Sequence, residues 1–101
     1  MDNQLNVKQR QYLKGLAHSL EPVVIIGNNG LSDAVIKEIN VNLKAHELIK
    51  VRVLGDDRKN RITIIDEICE KTSSNLVQHI GKLLVLYKPS DKKKINLINA
   101  K

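Results

Sequence analysis

The aliphatic run from Val23 to Ile26 constrains the fold of this chain more than any other feature. All four of its side chains are β-branched, and the run lies between Pro22 and Gly27. It falls far short of the roughly 20 residues that a membrane helix needs. Short apolar runs bounded by turn residues are typical of strands buried on both faces of a parallel sheet. We therefore predict a central strand over residues 23–26.

A glycine-rich turn follows this strand, with the sequence Gly27-Asn28-Asn29-Gly30. Ser32 then offers an N-cap for a helix over residues 32–46. The glycines permit positive φ angles, and they let another backbone approach because no Cβ stands in the way. The amide groups and the positive end of the helix dipole would face an anion docked there. The motif by itself leaves two interpretations open, a structural turn or a phosphate contact.

The rest of the chain alternates between helical and strand periodicity. Helices are predicted over 7–20, 32–46 and 57–72, and strands over 23–26, 48–54, 76–80 and 83–88. The third helix is expected to bury Ile62, Ile65, Ile68 and Cys69, and Gly81-Lys82 reads as a two-residue hairpin loop. The order α-β-α-β-α-β-β predicts an α/β fold, in which a four-stranded mixed sheet packs against helices in one compact domain.

With 101 residues, the chain has room for one domain over residues 1–101, and its lysine-rich tail from about residue 90 is expected to be flexible. The polar start of the chain contains no apolar signal segment. We therefore expect a cytoplasmic protein without a membrane partner, and a monomer.

A basic charge balance limits the partners that this chain can have. Lys and Arg number 17 against 11 Asp and Glu, so the net charge is +6. A basic surface favours an anionic partner, and nucleic acid is the first candidate. The scarcity of aromatic residues argues against modules that stack bases on strand aromatics, so we expect recognition of RNA shape and backbone. The candidate cationic contacts are Lys8, Arg10 and Lys14 on the first helix, Lys50 on the second strand beside Arg52, and Lys88.

The sequence gives little support for catalysis or metal binding. One cysteine, Cys69, cannot form an internal disulfide or a multi-cysteine zinc site. The three histidines are dispersed without metal-ligand spacing. We predict no catalytic residue, no metal and no cofactor, and a Cys69 that is an inert part of the core.

Several segments together resemble the CRM domain family, named for chloroplast RNA splicing and ribosome maturation. The resemblance covers residues 5–95, and the small stand-alone bacterial members are the most similar. The segments that carry it are Tyr12-Leu13, Ala17-His18-Ser19-Leu20-Glu21-Pro22, Ile26-Gly27-Asn28-Asn29-Gly30-Leu31, His46-Glu47-Leu48-Ile49-Lys50-Val51, Gly81 and Leu86-Tyr87-Lys88-Pro89-Ser90.

The resemblance implies a fold similar to the C-terminal domain of translation initiation factor three. It also implies RNA binding, with the GxxG loop Gly27-Asn28-Asn29-Gly30 as a central contact, as in KH domains. The bacterial members associate with precursors of the large ribosomal subunit. By resemblance, the protein is expected to be a ribosome-assembly factor that binds precursor large-subunit RNA within a pre-ribosomal particle.

Two positions depart from the family pattern. Asn28 stands where a lysine is common, and Lys88 replaces an arginine before the terminal proline. Asn28 lacks a phosphate-pairing charge but can still donate hydrogen bonds, while Lys88 keeps its charge without a bidentate fork. The alternative hypothesis is a protein-binding module of the ribosome or translation machinery that does not recognise RNA directly.

Overall fold

The computed structural model describes residues 5–27 and 29–90. Asn28 and the lysine-rich tail predicted to be flexible lie outside the described residues, apart from the tail's first position. The elements in chain order are α1 (Val7–Ala17), β1 (Pro22–Ile26), α2 (Asp33–His46), β2 (Leu48–Val53), α3 (Arg58–Thr72), β3 (Asn75–Ile80) and β4 (Leu83–Tyr87). This is the predicted order, so the α/β fold class is confirmed.

Side-chain caps set where each helix begins. The Asn6 side chain accepts a hydrogen bond from the Gln9 backbone amide, and the Gln9 side chain accepts one from the Asn6 backbone amide. Ser32 caps α2 through the Val35 amide, and Asp57 caps α3. Each cap satisfies amide groups that have no partner within the first turn of their helix.

The four strands form one mixed sheet in the order β1-β2-β4-β3. β1 runs parallel to β2, and the other pairs are antiparallel. The predicted parallel pairing of β1 is therefore correct, but its predicted central position is wrong because β1 lies at an edge. Val24 and Ile26 are buried, while Val23 and Ile25 are 42% and 61% exposed. A short apolar run does not distinguish a strand covered on both faces from one covered on a single face.

Two apolar clusters hold the sheet between helices. The larger cluster lies where α2 and α3 pack on one face, and it contains Val24, Ile26, Ile39, Leu43, Ile49, Val51, Val53, Ile64, Ile65, Ile68, Leu84 and Leu86. The smaller cluster lies under α1 on the opposite face and contains Leu13, Ala17, Leu48, Val77, Val85 and Tyr87. The domain is thus a sheet covered by two helices on one side and by one helix on the other.

Two details of the helices differ from the sequence prediction. α1 ends at Ala17, and the Leu20 amide then bonds to the Ala17 carbonyl in a tight turn before Pro22.

In α3, Ile62 is 41% exposed, and the buried position beside it belongs to Arg61. Arg61 can be buried because its guanidinium donates to Gly55 O and to His79 Nε2. Ile64, Ile65 and Ile68 therefore form the buried stripe of α3.

Candidate functional site

The glycine loop projects from the end of β1 and is accessible to solvent. Gly27 and Asn29 are exposed, and Gly30 is half-buried. The Gly30 amide donates to the Gly27 carbonyl over 3.0 Å, which closes the turn. The loop is therefore open to a ligand, although one of the four amides predicted to receive a phosphate is already engaged within the turn.

The two glycines of the loop serve different purposes in the fold. Gly30 has a φ of +79°, a conformation that other residues rarely adopt. Gly27 has no positive φ, and a Cβ placed there would meet no atom within 4 Å. The backbone therefore favours glycine at position 30, whereas position 27 has no structural need for it. A glycine without a structural need leaves open surface where a ligand can approach the backbone.

Two backbone hydrogen bonds place three connections at the same end of the sheet. The Leu54 amide donates to the Ile26 carbonyl over 2.9 Å, and the Val53 amide donates to the Lys82 carbonyl over 2.8 Å. The glycine loop, the β2–α3 connection and the β3–β4 hairpin therefore form one end of the molecule, which we call the loop end. As predicted, Gly81-Lys82 forms the hairpin, with Gly81 at a φ of +56°.

Charges of both signs occur at the loop end. The Lys82 ammonium lies 3.2 Å from Asp56 Oδ1, so this cation is partly neutralised. Asp57 Oδ1 accepts hydrogen bonds from the amides of Lys59 and Asn60 at the start of α3. Arg52 is exposed near the end of β2, directly across from Ile25 on β1. Arg52 is therefore the cation that the strand register brings closest to the loop on the α1 side of the sheet.

Lys50 and Arg52 share the face of β2 that lies on the α1 side of the sheet. Lys50 is half-buried and pairs in register with Val85, which packs under α1. The alternation of β2 correctly predicts that Lys50 and Arg52 lie on the same face. Arg52 was nevertheless absent from the predicted contacts, although its later position in the strand already placed it nearer the glycine turn.

The basic residues of α1 lie away from the loop. Arg10 Nη1 donates to the Leu76 carbonyl, so Arg10 is fixed over β3 at the opposite edge of the sheet. Lys14 is four residues further along α1 and therefore lies on the same flank. β3 is three strand spacings, or about 14 Å, from β1. Lys8 is exposed on the outer surface of α1.

Lys88 lies at the end of the sheet opposite the loop. Its amide donates to the Glu47 carbonyl over 2.9 Å, beside the first residue of β2. The length of β2, about 17 Å, separates this point from the loop end. The structure therefore does not bring the predicted contacts onto one surface. Lys50 is close to β1, while Lys8, Arg10, Lys14 and Lys88 are not, and their roles stay predictions.

The described residues offer no metal centre, since no three His, Cys, Asp or Glu side chains converge among residues 5–27 and 29–90. Burial raises the pKa of the Cys69 thiol; a hydrogen bond with Ser74 opposes this rise, and the charge of Asp66 adds to it. A thiol with a raised pKa is a poor nucleophile. Within the same ranges, no helix is long and apolar enough to cross a membrane.

Together, the mixed four-stranded sheet, its three helices and the exposed strand-to-helix glycine loop define a class of small α/β domain. The chain belongs to the CRS1 / YhbY (CRM) domain family, whose pattern it matches over residues 5–88. The predicted family resemblance is thereby confirmed.

Individual relatives match almost the whole chain. A Haemophilus influenzae protein named "RNA-binding protein" is 53% identical, over 92% of this chain and 94% of its own length. A Pseudomonas aeruginosa protein named as a probable RNA-binding protein is 39% identical, over 94% and 91%. The solution structure of a hypothetical Staphylococcus aureus protein superposes with a TM-score of 0.80 at 38% identity, covering 90% of this chain and 95% of that one.

Proposed function

We propose that this protein binds RNA at the loop end, with the sugar-phosphate backbone against the glycine loop, Arg52 beside it, and Lys50 further along β2, opposite the start of β1. The observation that carries the proposal is Gly27, which is exposed and which the fold does not require to be glycine. The net charge of +6 favours a polyanionic partner. The names of the relatives support RNA as that partner. We assign the protein no catalytic role.

We further propose that the RNA is a precursor of large-subunit ribosomal RNA, and that the protein is a cytoplasmic ribosome-assembly factor. The family resemblance of the stand-alone bacterial members supports this part of the proposal. Crosslinking in cells, followed by sequencing of the attached RNA, tests it. Enrichment of precursor large-subunit RNA over mature RNA is expected, whereas co-sedimentation with ribosomal particles that survives nuclease treatment would favour the protein-binding alternative.

The substitution Gly27→Ala tests the role of the loop. The added Cβ meets open space in the fold, so the free energy of unfolding should stay equal or rise by up to about 1 kcal/mol. The same Cβ would obstruct the approach of a phosphate, so RNA affinity should fall about tenfold, the equivalent of one displaced charge-assisted hydrogen bond. Fluorescence anisotropy with labelled RNA measures the affinity, and urea unfolding measures the stability.

Gly15→Ala provides the matched control for this experiment. Gly15 also has open space at its Cβ, but it lies within α1, away from the loop. Its substitution should leave RNA affinity unchanged. Equal affinities for the wild type and both variants would show that the turn is only structural.

A further inference from the structure

The side of the sheet on which α1 packs is uncovered at the loop end. The strand register aligns one residue from each strand in a row across this face, in the order Ile25, Arg52, Leu83 and Ile80. Ile25 and Ile80 are 61% and 59% exposed. The neighbouring residue Leu84 is buried on the opposite face, in the larger cluster. The row is therefore a solvent-facing strip of aliphatic side chains interrupted by one guanidinium.

An apolar groove extends this strip along β1. It has a volume of about 470 Å³, and its lining includes Leu16, Leu20, Val23 and Lys50. Ile25 lies two residues after Val23 on β1 and two residues before Gly27. The groove and the strip thus form one surface that reaches the glycine loop, with Ile25 about 7 Å from Gly27 along the strand. We call the part of this surface that runs from the groove to Ile25 and Arg52 the β1 platform; Ile80, on the far edge strand β3, lies outside it.

Exposed aliphatic side chains are common when they are scattered singly. Here they are not scattered. Among the described residues, ten large hydrophobic side chains are exposed, and four of them lie together around β1 on the α1 side of the sheet: Leu16, Leu20, Val23 and Ile25. Such clustering on a face next to an exposed loop is typical of a surface that contacts a ligand.

The charges around the β1 platform favour an anionic ligand. Lys50 and Arg52 lie on β2 beside it, and His46 lines the groove at the end of α2. The one acidic residue in the lining of the groove, among the described residues, is Glu21. A ligand that carries negative charge along one side and flat apolar faces along the other fits this arrangement. Unpaired nucleotides have that character, whereas a duplex keeps its base faces stacked inside the helix.

The backbone of β1 adds polar groups at the same place. The Ile26 carbonyl points towards β2, where it accepts from the Leu54 amide. Successive residues of a strand direct their backbone groups to opposite sides, so those of Ile25 point to the outer edge of the sheet. The edge strand can therefore hydrogen-bond the polar edge of a base that packs on its aliphatic side chains.

We propose that the β1 platform holds unpaired bases of the RNA, so the ligand of this protein is single-stranded. This inference rests on the proposed function, because the glycine loop holds the backbone of the same strand. Val23 and Ile25 contact the base faces, Arg52 pairs with a phosphate or stacks on a base, and the edge of β1 bonds the base edge. The scarcity of aromatic residues favoured recognition of the RNA backbone, and in this proposal aliphatic side chains take the place of aromatic rings in contacting the bases.

Ile25→Thr tests the platform, because threonine keeps the β-branched shape that suits a strand while it removes apolar surface. The matched control is Ile80→Thr, which changes the same residue type at similar exposure on the far edge strand, about 14 Å away. Binding is measured by fluorescence anisotropy with a 12-nucleotide single strand, the corresponding duplex and an abasic strand of equal length. Urea unfolding confirms that both variants are folded.

The wild type should bind the single strand at least tenfold more tightly than the duplex. Ile25→Thr should weaken single-strand binding by about fivefold, as expected for lost burial of one to two methylene groups. The same substitution should leave abasic-strand binding unchanged, and Ile80→Thr should leave all three affinities unchanged.

Two results would overturn the inference. One is a wild type that binds duplex as tightly as single strand, and the other is an Ile25→Thr variant with wild-type RNA affinity. If that variant loses a protein partner while it keeps its RNA affinity, the surface binds protein and not RNA. In each case a Gly27→Ala variant that still loses RNA affinity would leave the proposed function intact. If Gly27→Ala also has no effect, the proposed function fails as well.

Discussion

Glu47 adopts a backbone conformation that residues other than glycine rarely occupy. It has a φ of +67° at the end of α2 and is fully buried. Its carboxylate accepts hydrogen bonds from the amide and the hydroxyl of Ser90, and its carbonyl accepts from Lys88. A buried carboxylate and a strained backbone are both costly by themselves, so they persist where hydrogen bonds compensate for them. Glu47 thus fastens the segment after β4 to the start of β2.

We expect this attachment to contribute to the stability of the domain. Glu47→Ala should lower the free energy of unfolding by about 2 kcal/mol, because it removes the carboxylate that accepts from the amide and the hydroxyl of Ser90. Ser90→Ala keeps the backbone donor and should cost about 1 kcal/mol. The double variant should lose less than the sum of the two, since both remove the same contact. Urea titrations measure these values, and strict additivity would contradict the coupling.

Tyr87 should make the stability of the domain depend on pH in the alkaline range. Burial raises the pKa of its phenol, and the nearby charge of Glu47 adds to the rise. The folded state therefore holds the proton more tightly than the unfolded state does. The protonated phenol therefore contributes fully to the free energy of unfolding below a pH of about 10, the ordinary pKa of tyrosine. This contribution is lost as the pH rises through the higher pKa of the folded state. Urea unfolding between pH 8 and 11 should show this loss, and Tyr87→Phe should remove it.

Among the helices, α1 packs on its own side of the sheet through two buried side chains. Its buried residues are Leu13 and Ala17, and they contact the smaller apolar cluster. Gly15 lies between them in the middle of the helix, with no neighbour around its Cβ position. Glycine in a helix interior is less favourable than alanine because it gains more conformational freedom on unfolding.

Gly15→Ala should therefore stabilise the domain by about 0.5–1 kcal/mol. The midpoint of urea unfolding should rise with no change in the slope of the transition. If the variant is no more stable than the wild type, the prediction fails. Contacts other than those of Leu13 and Ala17 must then restrain α1.

Element order and type were predictable because they depend on local patterns. The alternation of β2, the hairpin at Gly81 and the cap at Ser32 are all readable over a few residues. Sheet order was not predictable, because whether β1 lies at the centre or the edge depends on which strands pair across the chain. The same limit explains why the predicted cationic contacts do not all lie on one surface. Spacing placed Arg10 on a polar helix face, but its bond to Leu76 arises only from how α1 packs on β3.

Across the whole molecule, the predicted and observed cations of the sheet are spread between its two ends. Arg52 lies near the glycine loop, Lys50 lies beside the groove opposite the start of β1, and Lys88 lies at the far end beside Glu47. An RNA strand bound at the loop end therefore meets only part of the net positive charge. The rest contributes a long-range attraction that salt screens.

The salt dependence of binding tests this division. If three to five phosphates of a single strand are neutralised, the logarithm of the binding constant should fall with the logarithm of salt concentration at a slope of about −2 to −4. Arg52→Gln should make the slope shallower by about 0.7, the effect of one lost phosphate contact. Lys88→Gln should leave it unchanged. An equal effect of both substitutions would show that the RNA contacts both ends of the sheet.

The irregular pairing between Pro22 and Val24 has a consequence for how the protein behaves at high concentration. An open strand border with aliphatic side chains is a template for self-association into fibres. The proline lacks an amide donor, and the break in register bends the strand next to it, so little flat border is left for a second copy to extend. The exposed aliphatic edge of β1 is therefore a poor template for a second copy of the chain, and we expect the protein to stay free of fibres at high concentration.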